Sequence, residues 1–265
     1  MRTWKTDVLV PRGVVVIVHG LGEHHGRYRW LKDRLIDEGF HVISGDLPGH
    51  GRHLGPRGHV DRFDEYIETI NQWIVSGQSL DIPVYLLGHS MGGLASIRTV
   101  QEKHPDIHGL ILSSPCLGIV NQPPRWLLSL ARILNKCYPK CRIPTKGSAD
   151  NDKATRNPDI LKRDAHDSLM LTKVSVRWYF ELDKAMVQAV ERNACFPNIP
   201  LLVMQAGSDK IVDKQAVQSW FDALTIESKH YKEWAGLYHE VYNEPERNDV
   251  FTYSLGFMNQ YMNTH

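Results

Sequence analysis

The 265-residue chain reads as one α/β domain, a mostly parallel central sheet flanked by helices, with a helical cap inserted at about residues 116–194. Three features predict it. Short, wholly apolar, β-branched runs such as Val14-Val15-Val16-Ile17-Val18 recur along the chain, and they suit strands buried on both faces of a parallel sheet. Amphipathic stretches separate these runs, giving the strand–helix rhythm of a doubly wound domain. One run, Pro83-Val84-Tyr85-Leu86, leads directly into Leu87-Gly88-His89-Ser90-Met91-Gly92-Gly93. That stretch is a tight strand-to-helix turn carrying a serine at its tip.

Taken in order, the first strand at 14–18 ends in the glycine-rich segment 19–28. A helix over 30–38 stops at Gly39, a suitable C-terminal residue for it. A second strand at 40–44 is closed by Gly45-Asp46-Leu47-Pro48-Gly49-His50-Gly51, and a helix over 63–75 leads to the strand before Ser90. A helix begins after the serine turn, and a further strand covers 109–115. The rhythm breaks over about 116–194, where the composition turns helical and basic, with fourteen Lys/Arg against eight Asp/Glu. It resumes with strands at 199–205 and 229–234, a helix over 214–224 between them, and a last helix over 245–262. No repeat, linker or low-complexity tract interrupts this order.

Composition narrows the function classes. A formal net charge of +1 gives no reason to propose nucleic acid as a partner. The four Cys form no C-x-x-C pair, which favours free thiols in a reducing compartment, and Pro139 argues against one helix running through Cys137 and Cys141. The first residues lack the apolar core of a signal peptide, and no apolar run approaches the roughly 20 residues needed to span a bilayer. The expectation is a cytoplasmic protein with no obligate protein partner.

Gly88-His89-Ser90-Met91-Gly92 fits Gly-x-Ser-x-Gly, the nucleophile elbow. Small residues are needed on both sides because Cβ atoms at Gly88 and Gly92 would meet neighbouring backbone. The following helix N-terminus offers N–H groups and positive charge where an oxyanion would form. A serine needs a base, and the base an orienting acid, each in a loop past a late strand in the order Ser, acid, His. Asp209 is the first carboxylate after the strand at 199–205, with Asp213 four residues on as a helix cap or helper. His239 is the one His downstream of Asp209 at a strand end, since His230 lies inside a strand and His265 is terminal. Ser90, Asp209 and His239 are therefore the expected triad. Met91 N–H is one expected oxyanion donor, and Leu21 N–H, in the glycine-flanked loop His19-Gly20-Leu21-Gly22, is the other. His19, His24, His25 and His50 show no recognised ligand spacing, and the adjacency of His24 and His25 is expected to point their rings apart, so neither metal nor other cofactor is expected.

His19-Gly20-x-Gly22-Glu23-His24 with Gly26-Arg27-Tyr28, Asp46-x-Pro48-Gly49-His50-Gly51, the Ser90 elbow, and the Asp209 and His239 loops together resemble the monoacylglycerol lipase and lysophospholipase family of α/β-hydrolases. The resemblance covers nearly the whole chain. Stretches such as Ser113-Ser114-Pro115-Cys116-Leu117-Gly118 look closest to bacterial lysophospholipid-forming phospholipases. The resemblance implies the α/β-hydrolase fold, hydrolysis of a glycerolipid ester through an acyl-serine without cofactor, and Glu23, Arg27 and His89 near the glycerol or head group. Glu23 and Arg27 equally suit a structural ion pair bracing the oxyanion loop. Fewer residues precede the first buried strand than is usual in this family, so its leading antiparallel strands are expected to be shortened. Elbow and triad alone leave open a small-ester carboxylesterase, a peptidase, an acyltransferase or a non-catalytic binding homologue. The cap stretch over 124–136 is apolar around much of its circumference with Arg and Lys interspersed. It suits an acyl tunnel or a transient contact with an anionic membrane surface, or else ordinary packing on the core.

Overall fold

A computed structural model describes residues 1–145 and 153–262. Seven strands form one sheet: β1 (Arg2–Trp4), β2 (Gly13–Val18), β3 (Phe40–Ser44), β4 (Val84–His89), β5 (Gly109–Ser113), β8 (Leu201–Ala206) and β9 (Lys229–Trp234). Their order is β1-β3-β2-β4-β5-β8-β9. Every pair is parallel except β1–β3, which is antiparallel. The leading antiparallel part is thus a single three-residue strand at one edge.

Alternation within the buried strands builds the two helical layers. In β2, Val14, Val16 and Val18 point into one core with α2 (Asp64–Gln78), α3 (Met91–Lys103), α6 (Val176–Glu191) and α7 (Lys214–Asp222). Val15 and Ile17 point into the other, with α1 (Arg29–Asp37) and α8 (Arg247–Gln260). Both faces of the strand are buried, which is why these runs carry no polar alternation. Observed ends differ from the expected ones by a few residues, as frayed and capped ends do. The strand before the serine, for instance, continues through His89 to the turn itself.

Between β5 and β8, the described residues carry α4 (Arg125–Cys137), α5 (Pro158–Ala165), α6, and a two-stranded antiparallel ribbon of β6 (Arg142–Pro144) and β7 (Lys173–Ser175). The ribbon corrects the purely helical expectation for this stretch. Three-residue strands, one ending in Pro144, are too short to leave a period-2 signal. As expected from Pro139, α4 ends at Cys137, and all four cysteines are free. No helix among the described residues is long and apolar enough to cross a membrane.

The sheet positions the site by delivering the ends of β2, β4, β8 and β9 to one edge. Packing there is close: a Cβ on Gly92 would lie 2.3 Å from the His19 carbonyl oxygen and 2.6 Å from that of Val18. Gly92→Ala is therefore expected to cost about 1–3 kcal/mol or more in urea unfolding, the usual penalty of overpacking. Gly256, inside α8 with nothing within 4 Å of a built Cβ, is the contrast. Gly256→Ala is expected to stabilise by about 0.5–1 kcal/mol in the same measurement.

Candidate active site

The serine turn begins where β4 ends. Ser90 has φ +53° and ψ −120°, a conformation that L-residues rarely adopt. Three backbone bonds hold it there. Ser90 N–H donates to the Ser113 carbonyl (2.9 Å), and the Ser90 carbonyl accepts from Leu94 N–H (3.0 Å) and Cys116 N–H (2.9 Å). A Cβ on Gly88 would sit 2.7 Å from the Gly92 carbonyl oxygen, so neither flanking glycine has room for a side chain.

The loop after β9 turns at Gly236 (φ +77°) and brings His239 back over the sheet. Its Nε2 is 2.8 Å from Ser90 Oγ, and its Nδ1 is 2.8 Å from Asp209 Oδ2. An ionised carboxylate only accepts, so Nδ1 carries the proton and Nε2 presents a lone pair to the serine hydroxyl. Asp209 Oδ1 accepts from Ile211 N–H and Val212 N–H, both at 2.9 Å. Asp213, the expected cap, accepts from Gln215 N–H at the start of α7.

Electrostatics match this order of proton affinities. Burial pushes the Asp209 carboxyl up, but the His239 imidazole and the two backbone donors outweigh it and hold the group below the usual carboxylate range. Burial likewise pushes His239 down, yet the facing Asp209 charge and hydrogen bond leave it above the ordinary imidazole value. His89, whose ring centroid lies 4.8 Å from that of His239, is lowered by burial against the partial counter-effect of Glu23.

Both expected oxyanion donors sit on backbone near Ser90. A Cβ on Gly20 would lie 3.2 Å from Ser90 Cβ and 3.1 Å from His89 Cδ2, so the loop carrying Leu21 rests on the elbow. Gly20 N–H donates to Glu23 Oε2 (3.0 Å), which fixes the loop from below. Met91 opens α3, and N–H groups of a first helical turn have no intrahelical acceptor.

Glu23 and Arg27 form a buried ion pair at 2.6 Å, and Arg27 also engages Asp164 and Glu240. The bracing arrangement is thus directly visible. A head-group contact for Glu23, Arg27 or His89 rests on resemblance alone. The Nδ1 of His89 lies 3.0 Å from the Ser113 carbonyl, and its Nε2 is 3.7 Å from Glu23 Oε1. The expectation that His24 and His25 point apart is corrected. Their ring centroids are 6.3 Å apart, and ligand atoms of His24, His25 and Asp46 lie within 4.8 Å of one another. Each ring is already engaged by a carboxylate, His25 Nδ1 by Asp46 (2.6 Å) and His24 Nε2 by Asp167 (2.7 Å). Adjacent residues at the start of a 3₁₀ turn can gather around a shared centre, which spacing in sequence did not reveal.

Sequence reasoning missed three residues at this site. Gln205 donates Nε2–H to Asp209 Oδ2 (3.1 Å), joining His239 on the same oxygen. A glutamine in an otherwise apolar buried strand was the available signal. Glu240 and Asp164 reach Arg27 from distant positions, and nothing local marks them.

Residues 10–246 match the profile of the family described as serine aminopeptidase, S33. The chain belongs to this serine aminopeptidase S33 family. Phospholipase YtpA of Bacillus subtilis is 48% identical over 263 residues, covering 99% of this chain and 100% of that one. Human monoglyceride lipase is 29% identical, covering 94% and 83%. Among solved structures, the monoacylglycerol lipase of Paleococcus ferrophilus superposes with a TM-score of 0.86 at 30% identity, covering 98% of this chain and 100% of that one.

With His239 as the expected base, its raised pKa keeps the ring protonated, and unable to accept, to a higher pH than a free imidazole. The acidic limb of kcat/KM is therefore expected above about pH 6.5. Asp209→Asn removes the orienting charge, and a fall in kcat of about 10⁴-fold is expected in steady-state assays across pH.

Proposed function

We propose that the protein is a serine ester hydrolase acting on glycerolipids, with Ser90 as nucleophile, His239 as general base and acid, and Asp209 as the group that orients and charges the imidazole. The observation that carries this reading is the unbroken relay Ser90 Oγ–His239–Asp209 with both contacts at 2.8 Å. His239 Nε2 takes the serine proton as Oγ attacks the ester carbonyl carbon. The resulting oxyanion is received by the N–H groups of Leu21 and Met91, each such donor contributing roughly 3–4 kcal/mol in comparable sites. Collapse breaks the bond to the glycerol oxygen, and His239 protonates that leaving oxygen. Water, activated by the same Nε2, then releases the fatty acid from Ser90. The relay calls on no group beyond these residues and water.

The lipid assignment draws on the relatives, whose names are phospholipase and monoacylglycerol or monoglyceride lipase. The stretch 116–194 acts on this reading as a cap inserted into a single domain. Its α4 has no buried residue, with Trp126 66%, Leu130 56% and Ile133 63% exposed beside Arg125, Arg132 and Lys136. That pattern suits peripheral contact with an anionic lipid surface from the cytoplasmic side.

A fluorophosphonate probe is expected to label the wild type and not Ser90→Ala; an unlabelled wild type would sink the hydrolase reading. In a panel of monoacylglycerol, lysophospholipid, diacyl phospholipid, short p-nitrophenyl esters and peptide amides, a glycerolipid is expected to give the highest kcat/KM. Preference for amides or acetyl esters would contradict that. Replacing Trp126 and Leu130 by Ser is expected to weaken binding to anionic vesicles and turnover of long-chain esters more than of short ones. Equal losses would refute the role given to α4.

A further inference from the structure

Arg27 is a single buried cation shared by three carboxylates that arrive from separate parts of the chain. Glu23 comes from its own loop at 2.6 Å, Glu240 from the residue after His239 at 2.9 Å, and Asp164 from α5 through Arg27 Nε (3.3 Å) and Nη2. All four side chains are at least nine-tenths buried. Glu23 in turn accepts Gly20 N–H, so the same cation is one bond removed from the oxyanion loop.

Asp164 is not the only point where the segment 153–171 grips these loops. Leu171 N–H donates to the Gly22 carbonyl (2.9 Å), and Asp167 engages His24 (2.7 Å), both on the oxyanion side. On the histidine side, Glu240 N–H donates to the Ala154 carbonyl (2.8 Å), and Thr155 Oγ1 donates to Glu244 (2.7 Å). The segment therefore holds the oxyanion loop with one end and the His239 loop with the other, with Asp164 on the cation that joins them. Among the described residues α4 buries none of its own side chains, and Asn135 Oδ1 accepts from Arg177 Nε–H of α6 at 2.8 Å.

We propose that Asp164 is a positioning residue for the reaction, holding Arg27 and through it both the oxyanion loop and His239, so that residues 153–171 form a fixed clamp. This rests on the reading of Ser90 and His239 as nucleophile and base. Loss of the Asp164 charge leaves Arg27 shared by two carboxylates and frees the loops to drift apart by a fraction of an ångström. Such a displacement falls on the reacting geometry and not on the acyl site, so it acts on kcat for every ester.

The test compares Asp164→Asn, Asp164→Glu and wild type on a short p-nitrophenyl ester and on monoacylglycerol, with rates normalised to sites titrated by a fluorophosphonate. Asp164→Asn is expected to lower kcat about tenfold to a hundredfold on both substrates with KM unchanged. Asp164→Glu, which keeps the charge, should recover most of that loss. Asp167→Asn, at a partly exposed pair of the same clamp, should act in the same direction to a smaller degree, and it carries the test together with Asp164→Glu if Asp164→Asn does not fold. An unchanged kcat per titrated site, or a loss confined to KM for monoacylglycerol, would overturn the proposal. A wild type that the probe does not label would instead remove the hydrolase reading beneath it.

Discussion

Ser90 is held at φ +53° by three backbone hydrogen bonds, in a turn so tight that neither Gly88 nor Gly92 has room for a Cβ. A non-glycine residue in such a conformation stores on the order of 1–3 kcal/mol of strain. That strain is sustained only because β4, β5 and α3 fix the backbone on either side. The Ser113 carbonyl that holds Ser90 ends β5, the strand beside it, and the Cys116 N–H follows in the loop after that strand. The sheet is thus the instrument that presents the hydroxyl. Its parallel order brings the ends of β2, β8 and β9 to the same edge, where the other groups are carried.

A second constraint is electrostatic. Between Glu23, Asp164, Glu240 and Asp209, the rear of the site gathers four buried or nearly buried carboxylates against Arg27 and a His239 that Asp209 favours in its charged form. Buried charge is tolerated only when paired and hydrogen-bonded, so these pairs fix geometry more than they stabilise the fold. His19 Nε2 accepts Leu47 N–H at 3.0 Å and so ties the first two loops together, and His50, pushed down to about 3 by burial and the neighbouring His19, packs its ring 5.2 Å from that of His19. Their place in a histidine-rich sequence is structural.

What could be read from the chain divides along a physical line. Doubly buried strands and the Gly-x-Ser-x-Gly turn are local in sequence, and their composition follows from local crowding, so both were legible. Asp209 and His239 were legible because the parallel sheet dictates where late-strand loops must lie. The β6–β7 ribbon was not, since two three-residue strands carry no period. Nor were Asp164 and Glu240, whose roles arise only when segments 137 and 213 residues from Arg27 fold onto it. The convergence of His24 and His25 was also hidden, because it depends on the 3₁₀ turn they begin.

In the proposed reaction Ser90 carries the acyl group covalently, and one measurement detects it directly. The enzyme is mixed with a monoacylglycerol, quenched in acid during the first turnovers, digested and examined by mass spectrometry. The expected result is the mass of the fatty acyl group on the peptide containing Ser90, and none on that peptide from Ser90→Ala. Turnover with no acyl-modified Ser90 peptide, or an acyl group carried on another residue, would contradict it.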